Sequence, residues 1–489
     1  MSELSDTKKS TIYIIQAVIV GILPVLLYPI ITEKLNPDVF GIYALTIVYT
    51  SILIGIANLG CIVGYERNFF LVETSNEKSG KLLTTTQLFV LTLFFIVVLV
   101  GSFFSEPISM LLFNDSSFAL LWQLVLASTC ISTFSQYYLT YLKNVGLAKT
   151  FFQITILQAT INFIVAWVLL MNTDYGIYSL AYALLVSNTV MLLVAIHNQL
   201  SRLSLGLDKQ LLIEVLRISL PLTPRVLFGF INTQFDKIML GILASMSNVG
   251  VYAIAQKIAL FIFVFMTALD RTFKPKVFRM LFSDDKPEDI GKYLTKFVFI
   301  SLLPALMLIL FSFEVVTLLL SEAYSDATSI IVVLSIYYAS LFIGKINGIQ
   351  LTYAKKTWLI SKLTLWGVLL NVILNVPFIY LWGAIGAAFA TTIASLILTG
   401  ITYHYAQRYA PIKLELGYIY WMYIVLILSS FVIIGIEVNI IDIDYYLAFG
   451  MKLVFVLLYM YLGKQAGVIR WEDIKKTMQI IKIKTRTID

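Results

Sequence analysis

The run TFFQITILQATINFIVAWVLLMNT, residues 150–173, lies between Lys149 and Asp174 and contains no charged residue. A helix needs about 20 mostly apolar residues to cross the hydrocarbon of a bilayer, and this stretch supplies them with a charge at each end. The stretch from Lys81 to Glu106 reads the same way. Working outward from charge to charge gives fourteen spans, near 11–31, 41–65, 82–104, 118–141, 151–171, 176–196, 218–243, 250–269, 297–320, 327–350, 359–380, 383–403, 416–436 and 446–463. Spans 11 and 12 share one long apolar stretch, with a turn expected near Leu381-Trp382-Gly383. The first span is too long for a cleavable signal and no small-residue cleavage site follows it, so it is expected to stay in the protein. The chain is read as an all-α polytopic membrane protein.

Composition excludes the other classes. Of 489 residues, 59% are apolar and 13% charged, with a mean hydropathy of +0.89, whereas soluble domains carry about 25% charged residues. Two cysteines, Cys61 and Cys130, and two histidines, His197 and His404, offer neither a disulfide framework nor a metal motif. No Gly-rich phosphate loop is present. No cofactor, metal or catalytic residue is expected.

Basic residues set the orientation. Of 35 Lys and Arg, five (Arg225, Lys237, Lys257, Lys345, Lys452) fall within spans. With the N-terminus inside, Lys34 alone falls in an outside loop and the other 29 lie on the cytoplasmic side. Both termini are therefore expected in the cytoplasm. The net charge of +7 suits an anionic lipid surface and requires no nucleic acid. Residues 470–486 read as an interfacial helix, with Trp471, Ile474, Met478 and Ile481 on one face. The segment after span 8 (Phe273, Val277, Met280) reads similarly.

The halves repeat weakly. Gly41 and Tyr43 match Gly250 and Tyr252, and Thr155 and Asn162 match Thr364 and Asn371, at an offset of 209. Lys149-Thr150 matches Lys356-Thr357, and Gly176 matches Gly383, at 207; Leu139-Thr140-Tyr141 matches Leu351-Thr352-Tyr353 at 212. Six spans separate the copies, an even number, so both have the same membrane orientation about an axis along the membrane normal. The expected organisation is two six-helix bundles in a V, residues 1–207 and 208–413. Two added spans (414–463) and a basic tail (464–489) follow. Such a bilobal design suits alternating access.

Polar groups inside spans are costly and usually face protein or water. In span 7, Arg225, Gly229, Asn232 and Asp236 form one helical stripe, with Pro221 and Pro224 where a kink is expected. Asp236 and Lys257 sit at matching depth and can pair, either as a structural salt bridge or as a switching or substrate-contacting group. Gln158 and Asn162 in span 5, and Asn371 and Asn375 in span 11, form polar stripes that read as a cavity wall or as interhelical hydrogen bonds. Glu314, Lys345 and Lys452 are near enough to span ends to snorkel or to face the lumen. Arg67 forms an interfacial pair with Glu66 or guards the cytoplasmic mouth.

Several stretches resemble the bacterial polysaccharide flippases, the O-antigen and capsule repeat-unit translocases of the multidrug/oligosaccharidyl-lipid/polysaccharide exporter superfamily. They are Pro37-Asp38-Val39-Phe40-Gly41-Ile42-Tyr43, Asn58-Leu59-Gly60, Tyr65-Glu66-Arg67, Asp236-Lys237-Ile238-Met239-Leu240-Gly241 and Trp382-Gly383-Ala384-Ile385-Gly386-Ala387-Ala388. The likeness covers roughly residues 10–405. It implies a flippase carrying an undecaprenyl-diphosphate-linked oligosaccharide across the bacterial cytoplasmic membrane. A coupling proton or sodium ion, membrane lipid, and polysaccharide polymerase and chain-length proteins are its implied partners. Arg225, Lys237, Lys257, Lys345 and Arg67 would supply charge for the diphosphate. Asn232, Gln158, Asn162, Asn371 and Asn375 would face the sugars, and Asp236 and Glu314 would serve coupling or gating. A lipid II-type flippase and a multidrug exporter share this architecture. A membrane polysaccharide polymerase or ligase would need a large outside loop, which is absent.

Overall fold

The computed structural model describes residues 6–72, 75–202, 206–283, 286–437, 441 and 444–468. These residues form helices and connecting turns, with no strand among them. The first repeat holds α1 (Asp6–Val25), α2 (Tyr28–Lys34), α3 (Pro37–Ala57), α4 (Cys61–Val72), α5 (Asn76–Phe103), α6 (Ser105–Phe113), α7 (Ala119–Val145), α8 (Ala148–Asn172) and α9 (Tyr178–Arg202). The second holds α10 (Lys209–Leu243), α11 (Met246–Phe282), α12 (Pro287–Leu310), α13 (Ser312–Leu319), α14 (Ala327–Tyr353) and α15 (Thr357–Tyr409). Last come α16 (Leu416–Glu437) and α17 (Tyr445–Gln465).

Twelve described helical segments are long and apolar enough to cross a membrane. One of them, α15, is two helices that meet at Gly383, whose φ of 56° and ψ of −130° suit only glycine. Counting its arms separately, and adding α10 for its 35 residues, gives the fourteen spans of the sequence reading. The protein is a multi-pass membrane protein.

Local chemistry explains the helix ends. Asn36 caps α3 by accepting the Val39 N–H at 3.0 Å, and Pro37 occupies the first turn, where no donor is lost. Asp208 caps α10 by accepting the N–H groups of Gln210 at 2.9 Å and Leu211 at 3.2 Å. The described helix α10 runs through both Pro221 and Pro224 from Lys209 to Leu243.

Three segment readings are corrected. Span 1 is broken between α1 and α2, where Pro29 opens a new helix. The expected span 41–65 is broken as well. α3 stops at Ala57 and the chain turns through Leu59 (φ 47°) and Gly60 (φ 64°) into α4. The cause is tertiary: a Cβ on Gly64 would overlap the Val215 carbonyl and Ser219 hydroxyl of α10, so α4 must approach that helix without a side chain. Leu59 is held left-handed at a cost of about 1 kcal/mol. Third, the amphipathic stretch after span 8 is no separate membrane-surface helix. It continues α11, and Phe273 (0% exposed) packs at a tilt against the rings of Phe297 at 5.4 Å and Phe342 at 5.1 Å. Its apolar face is satisfied by protein. The interfacial helix expected over 470–486 lies outside the described residues.

The repeat is written in the backbone. α5 breaks at Phe104 before α6, and α12 breaks at Phe311 before α13, at an offset of 207. Gly176 (φ 54°) and Gly383 (φ 56°) repeat at the same offset. α7 ends with Gly146 left-handed and Leu147 N–H donating to the Leu142 carbonyl at 2.9 Å. α14 ends with Lys355 left-handed and Lys356 N–H donating to Leu351 at 2.8 Å. These are the same helix-ending motif. They pair Leu142 with Leu351, so the Leu-Thr-Tyr match at offset 212 is out of register by three residues.

The described residues fall into two compact units. One runs to Ala253 and includes Leu319–Tyr324; the other holds Ile254–Leu318 and the chain from Ser325 on. Within the first, α10 packs on α3, α4 and α5, although by sequence it opens the second repeat. The short return 319–324 belongs there because Ser321 N–H donates to the Thr32 hydroxyl at 3.0 Å and the Tyr324 hydroxyl donates to the Leu35 carbonyl at 3.0 Å. In the same unit Gly41 and Gly250 cross reciprocally: a Cβ on Gly41 would overlap the Met246 carbonyl, and one on Gly250 the Pro37 carbonyl. Each glycine thus meets the carbonyl four residues before the other, the signature of a local pseudo-two-fold crossing.

Within the second unit, α16 and α17 are fastened by polar groups. The Tyr423 hydroxyl donates to the Ala339 carbonyl at 3.0 Å and the Tyr459 hydroxyl to Phe299 at 2.7 Å. Ser329 donates to the Glu437 carboxylate, and Lys452 to Glu314.

Candidate functional site

The charged and amide groups within the spans are considered unit by unit. In the first, Asp236 is buried (7% exposed) and accepts the hydroxyl of Tyr252, itself wholly buried, at 2.7 Å. Tyr252 belongs to Val249-Gly250-Val251-Tyr252, which matches Gly41 and Tyr43 of the first repeat and shares in the flippase likeness; neither signal marks it as the partner of Asp236. Lys237, one residue on, is half-buried and donates to Gln234 Oε1 at 2.9 Å, one turn back on α10. Arg225 and Asn232 lie on α10, but their side chains are outside the described set. Arg67 is exposed on α4 and donates to Asn68 Oδ1 at 3.1 Å; Asn68 in turn donates to the Gly64 carbonyl at 2.9 Å. Glu66 beside it is exposed and forms no described ion pair.

The amides of span 5 join helices. Gln158 donates to Asn188 Oδ1 at 2.7 Å, and Asn188 donates to the Ser128 hydroxyl at 2.7 Å, linking α8, α9 and α7. Asn162 donates to the Ser187 hydroxyl at 3.3 Å. Asn58 of span 2 accepts the Tyr137 hydroxyl at 2.5 Å. In the second unit Asn371 donates to the Thr391 hydroxyl at 3.0 Å across the two arms of α15, repeating the Asn162–Ser187 contact. Asn375, fully buried, donates to Asn371 Oδ1 at 3.0 Å. The bonds made by Gln158, Asn188, Asn162, Asn58 and Asn371 are interhelical glue, each worth about 1 kcal/mol, whereas that from Asn375 to Asn371 spans one turn within the same arm of α15.

Two lysines within the spans of the second unit hold carboxylates among the described residues. Lys345 of α14 lies 3.3 Å from Asp270 of α11, with its ammonium 5.5 Å from the Phe263 ring centroid. Lys452 of α17 is 7% exposed and paired with Glu314 of α13. Glu314 thereby serves as a tether for α17. Lys257 is exposed on α11. It and Asp236 belong to different units, and their pairing is a proposal. Asp270 escaped the sequence reading because it lies at the cytoplasmic edge expected for span 8, where it looked like a loop carboxylate.

Helical segments long and apolar enough to cross a membrane, with cations and amides along them, define a multi-pass membrane protein. Comparison with known proteins narrows the class. The model of the polysaccharide biosynthesis protein family matches residues 31–329, and the chain belongs to that family. The probable low-salt glycan biosynthesis flippase Agl15 of Haloferax volcanii is 25% identical over 213 residues, 43% of this chain and 45% of that protein. The capsular polysaccharide biosynthesis protein CapF of Staphylococcus aureus is 24% identical over 201 residues, 40% of this chain and 50% of that protein. The chain spans about half the length of these curated relatives.

Among solved structures, the lipid II flippase MurJ in an inward closed conformation superposes with a TM-score of 0.70 at 16% identity, covering 94% of this chain and 98% of that one. An inward-facing multidrug transporter of the MATE family gives 0.62 at 16% identity, covering 79% and 94%. At these identities the likeness establishes the fold alone, which is the two-bundle fold of MurJ and MATE transporters.

Proposed function

We propose that this protein is a flippase for a lipid-linked oligosaccharide, carried by alternating access from the cytoplasmic to the outer leaflet of the bacterial cytoplasmic membrane. The substrate is an undecaprenyl-diphosphate-linked repeat unit of an O-antigen or capsule. The observation that carries this reading is the set of lysines on α10, α11 and α14, Lys237, Lys257 and Lys345, inside spans of a chain of this family. Hydrocarbon rejects a sugar diphosphate, and fixed cations on a wet path offset that cost. Arg225 supplies a bidentate donor and Arg67 the cytoplasmic mouth. Asn232, Gln158, Asn162, Asn371 and Asn375 belong to the polar walls. The prenyl chain stays in lipid.

An inside-negative potential favours outward movement of an anion by about 2.3 kcal/mol per charge per 100 mV. Asp236, held by Tyr252, is the group for a coupled proton or sodium ion, by itself or in exchange with Lys257. Glu314 contributes to gating only through α17.

The test is transport in proteoliposomes, read as exposure of the glycan to an impermeant lectin. Arg225→Ala should reduce transport about tenfold or more at unchanged protein level, and Arg225→Lys should restore it partly. Full activity of Arg225→Ala, or movement of cationic dyes in place of the glycan, would defeat the reading. Orientation is checked with impermeant thiol reagents. Cysteines at Asn114, Ser247 and Ser325 should label from outside, and those at Lys78 and Lys286 only from inside. The natural cysteines are buried, so background labelling is low.

A further inference from the structure

Helix α14 is the most enclosed span, with 78% of its most apolar window buried. Among its accessible residues, Tyr337, Leu341, Lys345, Gly348 and Thr352 form one line along the helix, recurring every three or four positions, while Ile336, Ile343, Gly344 and Tyr353 are also accessible. Lys345 on that line is about a quarter exposed. Beside Lys345 there is open space, because a Cβ added to Gly348 would meet nothing within 4 Å. Lys345 therefore has room for a ligand next to its ammonium.

The ammonium is occupied, but loosely. Its one carboxylate partner among the described residues is Asp270, at 3.3 Å, with the two side chains 26% and 24% exposed. A well-formed charge-assisted hydrogen bond measures about 2.7–2.9 Å. The Phe263 face adds an attraction with no directionality. An ammonium has three donors, and among the described residues this one makes a single, long hydrogen bond. Water and a competing anion can reach it. The arrangement meets two needs of a carrier. Asp270 keeps Lys345 from standing as an uncompensated charge when no ligand is bound, and it binds weakly enough to be displaced.

We propose that Asp270 is the resident counter-ion of Lys345, and that the diphosphate of the substrate loads by displacing it. This inference rests on the flippase reading for the identity of the substrate, but its chemistry concerns any phosphate anion. Diphosphate brings more charge than a carboxylate and several acceptor oxygens, so it can use the ammonium donors that Asp270 leaves idle. When it departs, Asp270 returns, and Lys345 is not left to hold the anion back.

The test uses the full chain in phosphatidylcholine nanodiscs and inorganic pyrophosphate as probe, with affinity read by calorimetry. Asp270→Asn should tighten pyrophosphate binding about fivefold, the size expected when a pair of this exposure no longer competes. Lys345→Gln should weaken it, and Asp270→Asn should then add nothing in the Lys345→Gln background. Asp289→Asn, which changes net charge equally on an exposed residue, should leave the affinity unchanged. Asp270→Glu, which keeps the charge and extends the carboxylate, should not tighten binding. A purely structural pair predicts lower thermal stability in each single variant and one pyrophosphate affinity throughout, which would overturn the inference. An equal gain from Asp289→Asn, or from Asp270→Asn without Lys345, would overturn it too. Since transport is not read, failure of the flippase reading shows itself separately, as intact exchange without glycan movement.

Discussion

Two of the described lysine–carboxylate pairs of the second unit, those whose lysines lie within spans, look alike in sequence and differ in kind. Lys452–Glu314 is closed at its charged ends: the lysine is 7% exposed and, although the Glu314 side chain is 29% exposed, its Oε2 is buried, and the pair joins α17 to α13. Lys345–Asp270 is open, each side chain about a quarter exposed and 3.3 Å apart. The closed pair stands among other fastenings of the last two helices, including the Tyr459 hydroxyl on Phe299 and the stacking of those rings at 4.7 Å. The open pair stands beside empty space at Gly348. A buried pair is expensive to break, because a lone charge is left without water. An accessible pair is cheap to break, because water or another anion takes the partner's place. Burial therefore separates an ion pair that holds structure from one that is free to exchange.

The largest expected effect comes from breaking the closed pair. Lys452→Met strands the Glu314 carboxylate, whose Oε2 already has no hydrogen-bond partner. About 3 kcal/mol should be lost, read as a fall in the melting temperature in detergent. Adding Glu314→Gln should recover most of it. A stable single variant would show that the pair is not a tether.

A smaller effect should follow from Tyr459→Phe. It removes one hydrogen bond to the Phe299 carbonyl and keeps the ring stacking, at a cost of about 1 kcal/mol. Combined with Lys452→Met, its cost should depart from additivity, since both act on the docking of α17. Strict additivity in a double-mutant cycle would mean that the two contacts do not share one docking step.

The smallest change in stability should come from the open pair. Lys345→Gln should shift the unfolding free energy by no more than about 0.5 kcal/mol, within the range for exposed pairs, while weakening pyrophosphate binding. A loss as large as that of Lys452→Met would place Lys345–Asp270 with the structural pairs and erase the distinction.

The sequence by itself determined the membrane class and the number of spans. Uncharged runs of about 20 residues have one stable solution in hydrocarbon, a helix that satisfies its own backbone. It also determined the turn at Gly383 and the glycines of the repeat, because a left-handed backbone or a close helix crossing leaves a local mark in residue type. The tertiary structure decided the break at Asn58–Gly60: Leu59 has no preference for positive φ, and only the close approach of Gly64 to α10 forces the turn. It decided the register of the repeat, where shared geometry at Leu142 and Leu351 overrules identical letters elsewhere. It also decided which groups meet. Asp236 finds Tyr252, Lys345 finds Asp270 and Lys452 finds Glu314 across gaps of 16, 75 and 138 residues. A charge in a span must have a partner or water, and that need can be read residue by residue. Which of the two it receives depends on how the helices pack, because packing alone sets distance and burial.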